Sequence, residues 1–199
     1  MKILIKTAPH KRNLQWAQWI LFAGAILMLG YCGFVLVDTF VFQKQETAAL
    51  EQFVPARLAA GNATLPAIGP DGLIGQMQVE RLGVSVIVIE GTSNKTLRRA
   101  VGHIVGTALP GQPGNVGIAG HRDTFFRPLR NIRADDIITL ATLRGAYRYR
   151  VVSTKVVSPD DVAVLDSDGN QILTLVTCYP FYFLGSAPDR FIVRAKRIT

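Results

Sequence analysis

A charge-free apolar run at residues 19–37, WILFAGAILMLGYCGFVLV, sets the first limit on what this chain can become. Crossing a bilayer as a helix takes roughly 20 predominantly apolar residues, with every backbone polar group satisfied inside the segment. Trp16 and Trp19 stand at one rim, where indole rings favour the headgroup layer. Lys2, Lys6, Lys11 and Arg12 precede the run with no acid among them. This one-sided charge predicts the N-terminus in the cytoplasm and the C-terminus outside. A cleaved signal peptide shares the charged start, but the run is longer than a normal signal core and no convincing cleavage site follows it, so the reading is an uncleaved anchor. The formal net charge of +8 would otherwise invite a nucleic-acid partner. Four of those charges lie ahead of the run and act as a topology signal, so no nucleic-acid partner is expected.

The remaining length supports one further domain. A chain of 199 residues, 49% hydrophobic and with a mean hydropathy of +0.25, has material for one core and one span. The two cysteines are Cys32 and Cys178. Cys32 lies within the apolar run, which excludes a disulfide between them and leaves a single thiol outside the membrane. Residues 38–71 turn polar and Ala-rich. Within them Gln43-Lys44-Gln45-Glu46 and Ala48-Ala49-Leu50-Glu51 are weakly helical, and Pro55, Pro66, Gly69 and Pro70 stop regular structure. Phe53 and Val54 offer an apolar pair that could pack on the domain, but the stretch reads as a solvated stalk. The expected organisation is a cytoplasmic basic segment at 1–18, a membrane anchor at 19–37, a stalk at 38–71 and an extracytoplasmic domain at 72–199.

That domain reads as all-β. Residues 73–78 and 84–89 are two strands turning at Arg81-Leu82-Gly83. Ser93 is an N-cap for a short helix through Ala100. A loop rich in Gly and Pro follows, from Gly106 to Gly114. Residues 137–143 and 147–157 form a hairpin around Arg144-Gly145-Ala146, and Ser158-Pro159-Asp160-Asp161 begins another short helix. Asp166, Asp168, Gly169 and Asn170 make a turn; their spacing is not that of an EF-hand loop. Many short strands with Gly/Pro turns indicate a closed or nearly closed barrel.

Three strand ends carry side chains with chemistry. Leu173-Thr174-Leu175-Val176-Thr177-Cys178 is a β-prone run ending in a thiol, and Pro180 shortly after has no N–H for a sheet ladder. Asn115-Val116-Gly117-Ile118-Ala119-Gly120-His121 is a short apolar strand ending in an imidazole. Arg190 opens an alternating run that puts Phe191, Val193 and Ala195 on one face and Arg190, Arg194 and Lys196 on the other, away from the core. A thiol, an imidazole and a fixed cation suit amide acyl transfer: attack on a carbonyl, protonation of the leaving amine and stabilisation of the carbonyl oxygen. Each residue also has a plain alternative: Cys178 as a small core hydrophobe, His121 as a turn residue, Arg190 as a solvated edge charge. His103 is a competing histidine, read as structural. No zinc ligand set or phosphate loop is present, so no metal and no cofactor is expected.

Thr174-Leu175-Val176-Thr177-Cys178 resembles the TLxTC signature of the sortases, membrane-anchored cysteine transpeptidases. Gly120-His121-Arg122 and Arg190 follow the same family's order. The wording around them, Gly120-His121-Arg122-Asp123-Thr124-Phe125-Phe126-Arg127-Pro128-Leu129 and Ala187-Pro188-Asp189-Arg190-Phe191, is most similar to class D sortases. The resemblance runs from about Gly72 to the C-terminus. It implies an eight-stranded β-barrel with short helices behind one transmembrane helix, the Cys and Arg on neighbouring strands and the His opposite. It implies Cys178 as nucleophile, His121 as general acid/base and Arg190 as the positioning cation. Thr177 could hold the oxyanion through its backbone or hydroxyl, or be an ordinary strand residue. The implied partners are secreted proteins with an LPxTG-like C-terminal sorting signal and an amine acceptor of the cell wall or a pilin. A hydrolase with the same triad, or a membrane-anchored domain that only binds peptide, are the alternatives. The compact Ser-His-Gly-Cys signature of L,D-transpeptidases is absent.

Overall fold

The apolar run lies in one long helix, α1 (His10–Ala59). The computed structural model describes residues 10–59, 67–167, 169–183 and 185–198, and side chains within these from residue 14 onward except 49 and 51–59. The stretch 1–9 and the stalk portion 60–66, with Pro66, lie outside the described residues, as do the side chains of Lys11, Arg12, Phe53 and Val54. The chain divides into two compact units, Met1–Phe40 and Val41–Thr199. In the first, Trp19, Leu21, Leu27 and Leu29 are all more than 70% exposed, so α1 shows apolar side chains on every face. A helix apolar all round has no polar face to give to water. The part of α1 that is long and apolar enough to cross a bilayer is Leu14–Ala48, which extends past both ends of the expected 19–37.

In the second unit, the stretch expected as a solvated stalk is helical and packed. From Val41 onward α1 lays Phe42 and Leu50 against Leu73, Ile87 and Ala100. Gln43 Oε1 accepts from the Ile87 amide at 3.0 Å, and Gln43 Nε2 donates to the Arg99 carbonyl. The Arg99 guanidinium lies 5.7 Å from the centre of the Phe42 ring. Pro55 does not stop the helix, which continues to Ala59. Tertiary burial of one helix face outweighs weak local propensity and the loss of a single ladder bond at proline. A chain beginning at Val41 is therefore expected to be more stable than one beginning at Ala56 by about 2–4 kcal/mol, from the burial of two large side chains and the Gln43 bonds. Urea unfolding of the two proteins checks this, and coincident midpoints would mean the docked face contributes nothing.

The domain is a closed barrel of eight strands: β1 (Leu73–Val79), β2 (Val84–Glu90), β3 (Val101–His103), β4 (Gly114–Ala119), β5 (Ile137–Thr142), β6 (Gly145–Val157), β7 (Gln171–Tyr179) and β8 (Asp189–Arg197), in the order β1-β2-β3-β4-β7-β8-β6-β5. Closure comes from β1 pairing with both β2 and β5. The expected β1/β2 turn forms, with Gly83 in the left-handed region at φ 63°. The helix α2 (Asn94–Arg99) starts as expected, with the Ser93 hydroxyl accepting from the Thr96 amide. It leads into β3, a three-residue strand that the residue pattern did not announce and that runs parallel to β2. Ser158 to Asp161 forms a turn, and the helical turn comes later, at Val162–Leu165. Asp168 lies outside the described residues.

Alternation along the strands fills the interior. Ile74, Met77, Val86, Ile118, Leu140, Tyr149, Leu173, Leu175 and Val193 form one cluster, each 2% exposed or less. Burial drives the Tyr149 phenol up to about 12. Outside the barrel, Arg81 grips Asp136 with two N–H groups and also donates to the Asn131 carbonyl. The hydrogen bonds from Arg81 hold the Asp136 carboxyl below the usual aspartate range.

Candidate active site

Antiparallel β7 and β8 pair in a register that sets Cys178 directly opposite Arg190. Residues opposed in this way have Cβ atoms about 4.5–5.5 Å apart. Leu173 and Leu175 belong to the interior cluster, so alternation puts Thr177 inside and Val176 and Cys178 on the outer face. Phe191, Val193 and Ala195 pack inward on β8, which leaves Arg190 on the outer face with the thiol. Cys178 and Arg190 are both half-buried. One η-nitrogen of Arg190 donates to the carbonyls of Asp189 at 2.9 Å and Ala187 at 3.3 Å.

That outer face is not simply solvated. Ile192 is 2% exposed and Thr174 is fully buried. The segment between β6 and β7 covers them, pinned by Asn115: its Nδ2 donates to the carbonyls of Val164 and Asp166, while its Oδ1 accepts from Thr174 Oγ1 at 2.8 Å. A cavity of about 210 Å³ lined by Ser153, Lys155, Val164, Ile192 and Arg194 opens on this face, next along β8 from Arg190.

The turn that carries His121 lies on the other flank of β7. Parallel pairing of β4 with β7 ends at Ala119 opposite Val176, and two residues further along each chain stand His121 and Cys178. β4 and β8 are the two neighbours of β7, so Cys178 and Arg190 stand on adjacent strands and the His121 turn follows the strand on the opposite side of β7 from β8. Gly120 continues the pairing, its N–H donating to the Val176 carbonyl at 3.1 Å and its carbonyl accepting from Thr177 Oγ1 at 2.7 Å. A Cβ on Gly120 would stand 2.8 Å from the buried Phe126 ring, so the chain can pass this close only as glycine. Past it, the His121 carbonyl accepts from the amides of Thr124 and Phe126, closing a turn.

Thr177 is 3% exposed, and its hydroxyl proton goes to the Gly120 carbonyl. The hydroxyl thus ties β7 to the His121 turn and has no proton for an oxyanion. His103 has structural partners: Nδ1 lies 2.8 Å from Glu90 Oε2, and Nε2 lies 3.0 Å from both the Ala108 carbonyl and Thr107 Oγ1. Among the described residues no group of three or more His, Cys, Asp or Glu stands together that could hold a metal ion.

Two features next to the thiol were not singled out by residue pattern. Tyr179, Phe181 and Phe191 form an aromatic trio, with Phe181 and Phe191 ring centres 5.3 Å apart. Arg122 is 6% exposed and donates to the carbonyls of Pro180, Phe183 and Gly185. The only signal in the sequence was its place beside His121, since the acceptors are backbone groups some sixty positions away.

Comparison with known proteins bears on this arrangement. The family model described as the sortase domain matches residues 77–198. Sortase D of Bacillus subtilis (strain 168) is 30% identical over 196 residues, an alignment covering 89% of this chain and 95% of the relative. Among solved structures, a Clostridium perfringens sortase D5 transpeptidase is 28% identical with a TM-score of 0.63, covering 79% of this chain and 96% of that one. Sortase C1 from Streptococcus agalactiae is 31% identical with a TM-score of 0.62, covering 67% and 71%. A family match over residues 77–198, and a relative aligned along nearly its full length, lead to one conclusion: the chain belongs to the sortase family.

Proposed function

We propose that the protein is a membrane-anchored cysteine transpeptidase that cleaves an LPxTG-like C-terminal sorting signal and joins the remaining protein to an amine. The supporting observation is the pairing of Cys178 with Arg190 on one side and the approach of the His121 turn on the other. In the first step the Cys178 thiolate attacks the scissile carbonyl carbon, and Arg190 donates to the developing oxyanion or to a neighbouring peptide carbonyl. As the C–N bond breaks, the His121 imidazolium gives its proton to the leaving amine. A thioester to Cys178 remains. An acceptor amine then attacks the thioester, the neutral imidazole takes its proton, and the thiolate leaves. The acceptor is an amine of the cell wall or of a pilin.

The anchor is α1, with the basic N-terminal segment in the cytoplasm and the barrel outside, where the proteins to be joined emerge. Protease added to intact cells tests the orientation: loss of the barrel with protection of the N-terminus supports it, and a protected barrel overturns it.

Incubation of the protein with a small library of LPxTG-like peptides, with and without an amine, followed by mass spectrometry, tests the chemistry. A thioacyl adduct on Cys178 that the amine discharges as a ligated product supports the reading. An adduct discharged only to free acid makes the protein a hydrolase. Peptide binding with no adduct makes it a binding domain.

A further inference from the structure

The chain between Cys178 and Arg190 leaves β7, passes Pro180 and returns at Asp189. Residues 180–188 contain one described backbone hydrogen bond of their own, from the Phe183 amide to the Pro180 carbonyl at 3.3 Å. What gathers the span is Arg122. One η-nitrogen donates to the Pro180 carbonyl at 2.9 Å, and the other donates to the carbonyls of Phe183 and Gly185, the latter at 3.0 Å. The guanidinium carbon also lies 6.0 Å from the centre of the Phe183 ring. Its ε-nitrogen is 3.5 Å from the exposed Asp123 carboxylate.

Among the described residues, Arg122 is the buried member of the Lys and Arg set. Taking a guanidinium out of water is costly unless its donors are met; here both η-nitrogens are met by neutral carbonyls of a single loop, and the ε-nitrogen faces the exposed Asp123 carboxylate. A planar fork can reach three carbonyls in different directions. An ammonium on a flexible stem cannot hold them in that arrangement. The other end of the same loop is held by Arg190, through Ala187 and Asp189. The loop position set by Arg122 therefore bears on the direction of the Arg190 fork. Since Arg122 also follows His121 directly, one side chain joins the histidine turn to the span that links the cysteine and the arginine.

We propose that Arg122 is a positioning residue for acyl transfer, a clamp that holds Pro180, Phe183 and Gly185 so that Cys178, His121 and Arg190 stay in working geometry. This rests on the transpeptidase reading for its effect on turnover, but the clamp itself can be observed without substrate. The test compares R122Q and R122K with the full-length wild type in four measurements: thermal melting, hydrogen exchange of the amides of residues 181–187, the pH dependence of Cys178 alkylation by iodoacetamide, and steady-state transfer with an LPxTG-like peptide. Misplacing reacting groups by about 1 Å costs on the order of a hundredfold in rate, so kcat should fall by about that factor in both variants, with KM little changed. Exchange in residues 181–187 should become fast and the alkylation profile should shift, while the melting temperature stays near that of the wild type.

Transfer restored to near wild type in R122K would show that charge alone suffices and overturn the clamp. So would a loss of kcat that merely follows a fall in melting temperature. Should R122Q fail to fold, R122K carries the comparison, because it keeps the charge and the apolar stem. A wild type that forms no adduct with any peptide would sink the transpeptidase reading. Exchange and alkylation would then still decide on Arg122, and unchanged values in the variants would reject it.

Discussion

Replacing Cys178 by alanine is expected to end acyl transfer altogether while leaving the barrel folded and able to bind peptide. The proposed reaction passes through a thioester that only a thiol can form, and Cys32, the other cysteine, lies in α1. Cys178 stands one residue from the end of β7 with its side chain on the outer face, so losing one sulfur atom opens no cavity in the interior cluster. Stability should change by less than about 1 kcal/mol. His121→Ala separates nucleophilicity from proton transfer. The thiol should still react slowly with iodoacetamide, but transfer should fall by about 10²–10⁴, the range for loss of a positioned acid/base. Transpeptidation followed by chromatography, with calorimetry for peptide binding, checks both variants. Turnover by Cys178→Ala would refute the nucleophile, and undiminished transfer by His121→Ala would remove the histidine from the mechanism.

Arg190→Lys is expected to be nearly as damaging as Arg190→Ala, each lowering transfer by about a hundred- to a thousandfold, or about 3–4 kcal/mol of transition-state stabilisation. The reason is geometric. Arg190 is the direct cross-strand partner of Cys178, and its guanidinium already meets two carbonyls of its own loop. A rigid fork can keep one such contact and turn another donor to a carbonyl oxygen forming at the thiol. Lysine has a mobile point charge and loses that pairing. The cost to the fold should be small, because Phe191, Ile192 and Val193 hold β8 in place whichever side chain stands at 190. Kinetics and thermal melts on the two variants separate the outcomes: near-wild-type turnover in Arg190→Lys would refute the bidentate role, and a large fall in melting temperature would make Arg190 structural.

Local pattern carried much of this molecule. The alternation from Arg190 to Lys196 correctly placed Phe191, Val193 and Ala195 in the core, because side chains on a strand must alternate whatever the strand pairs with. Ser93 marked the start of α2 because an N-cap bond spans only three residues. The pattern failed where long-range contacts decide. β3 is three residues long, too short for a period to appear, and exists because β2 and β4 offer it edges on both sides. The stretch from Phe42 to Leu50 reads as a polar stalk residue by residue, and it is helical because Leu73, Ile87 and Ala100 present an apolar surface for one of its faces. Ile192 shares the face of Arg190 and Arg194 by alternation, yet it is buried by a segment pinned through Asn115.

The sequence by itself determined the apolar span, the all-β character of the domain, and the thiol, imidazole and guanidinium at three strand ends. These follow from hydropathy, period and turn chemistry, which act over a few residues. Only the tertiary structure decided that β4 and β8 flank β7, so that the His121 turn and Arg190 lie on the two sides of the strand that carries Cys178. It also decided that Thr177 spends its hydroxyl on Gly120 and that Arg122 gathers the loop after the thiol. The β4/β7 pairing and these backbone acceptors join segments far apart in the chain, as with Thr177 to Gly120 at a separation of 57 and Arg122 to Gly185 at 63. No short-range pattern of side chains encodes which carbonyl will lie beside which donor, since every residue carries the same carbonyl.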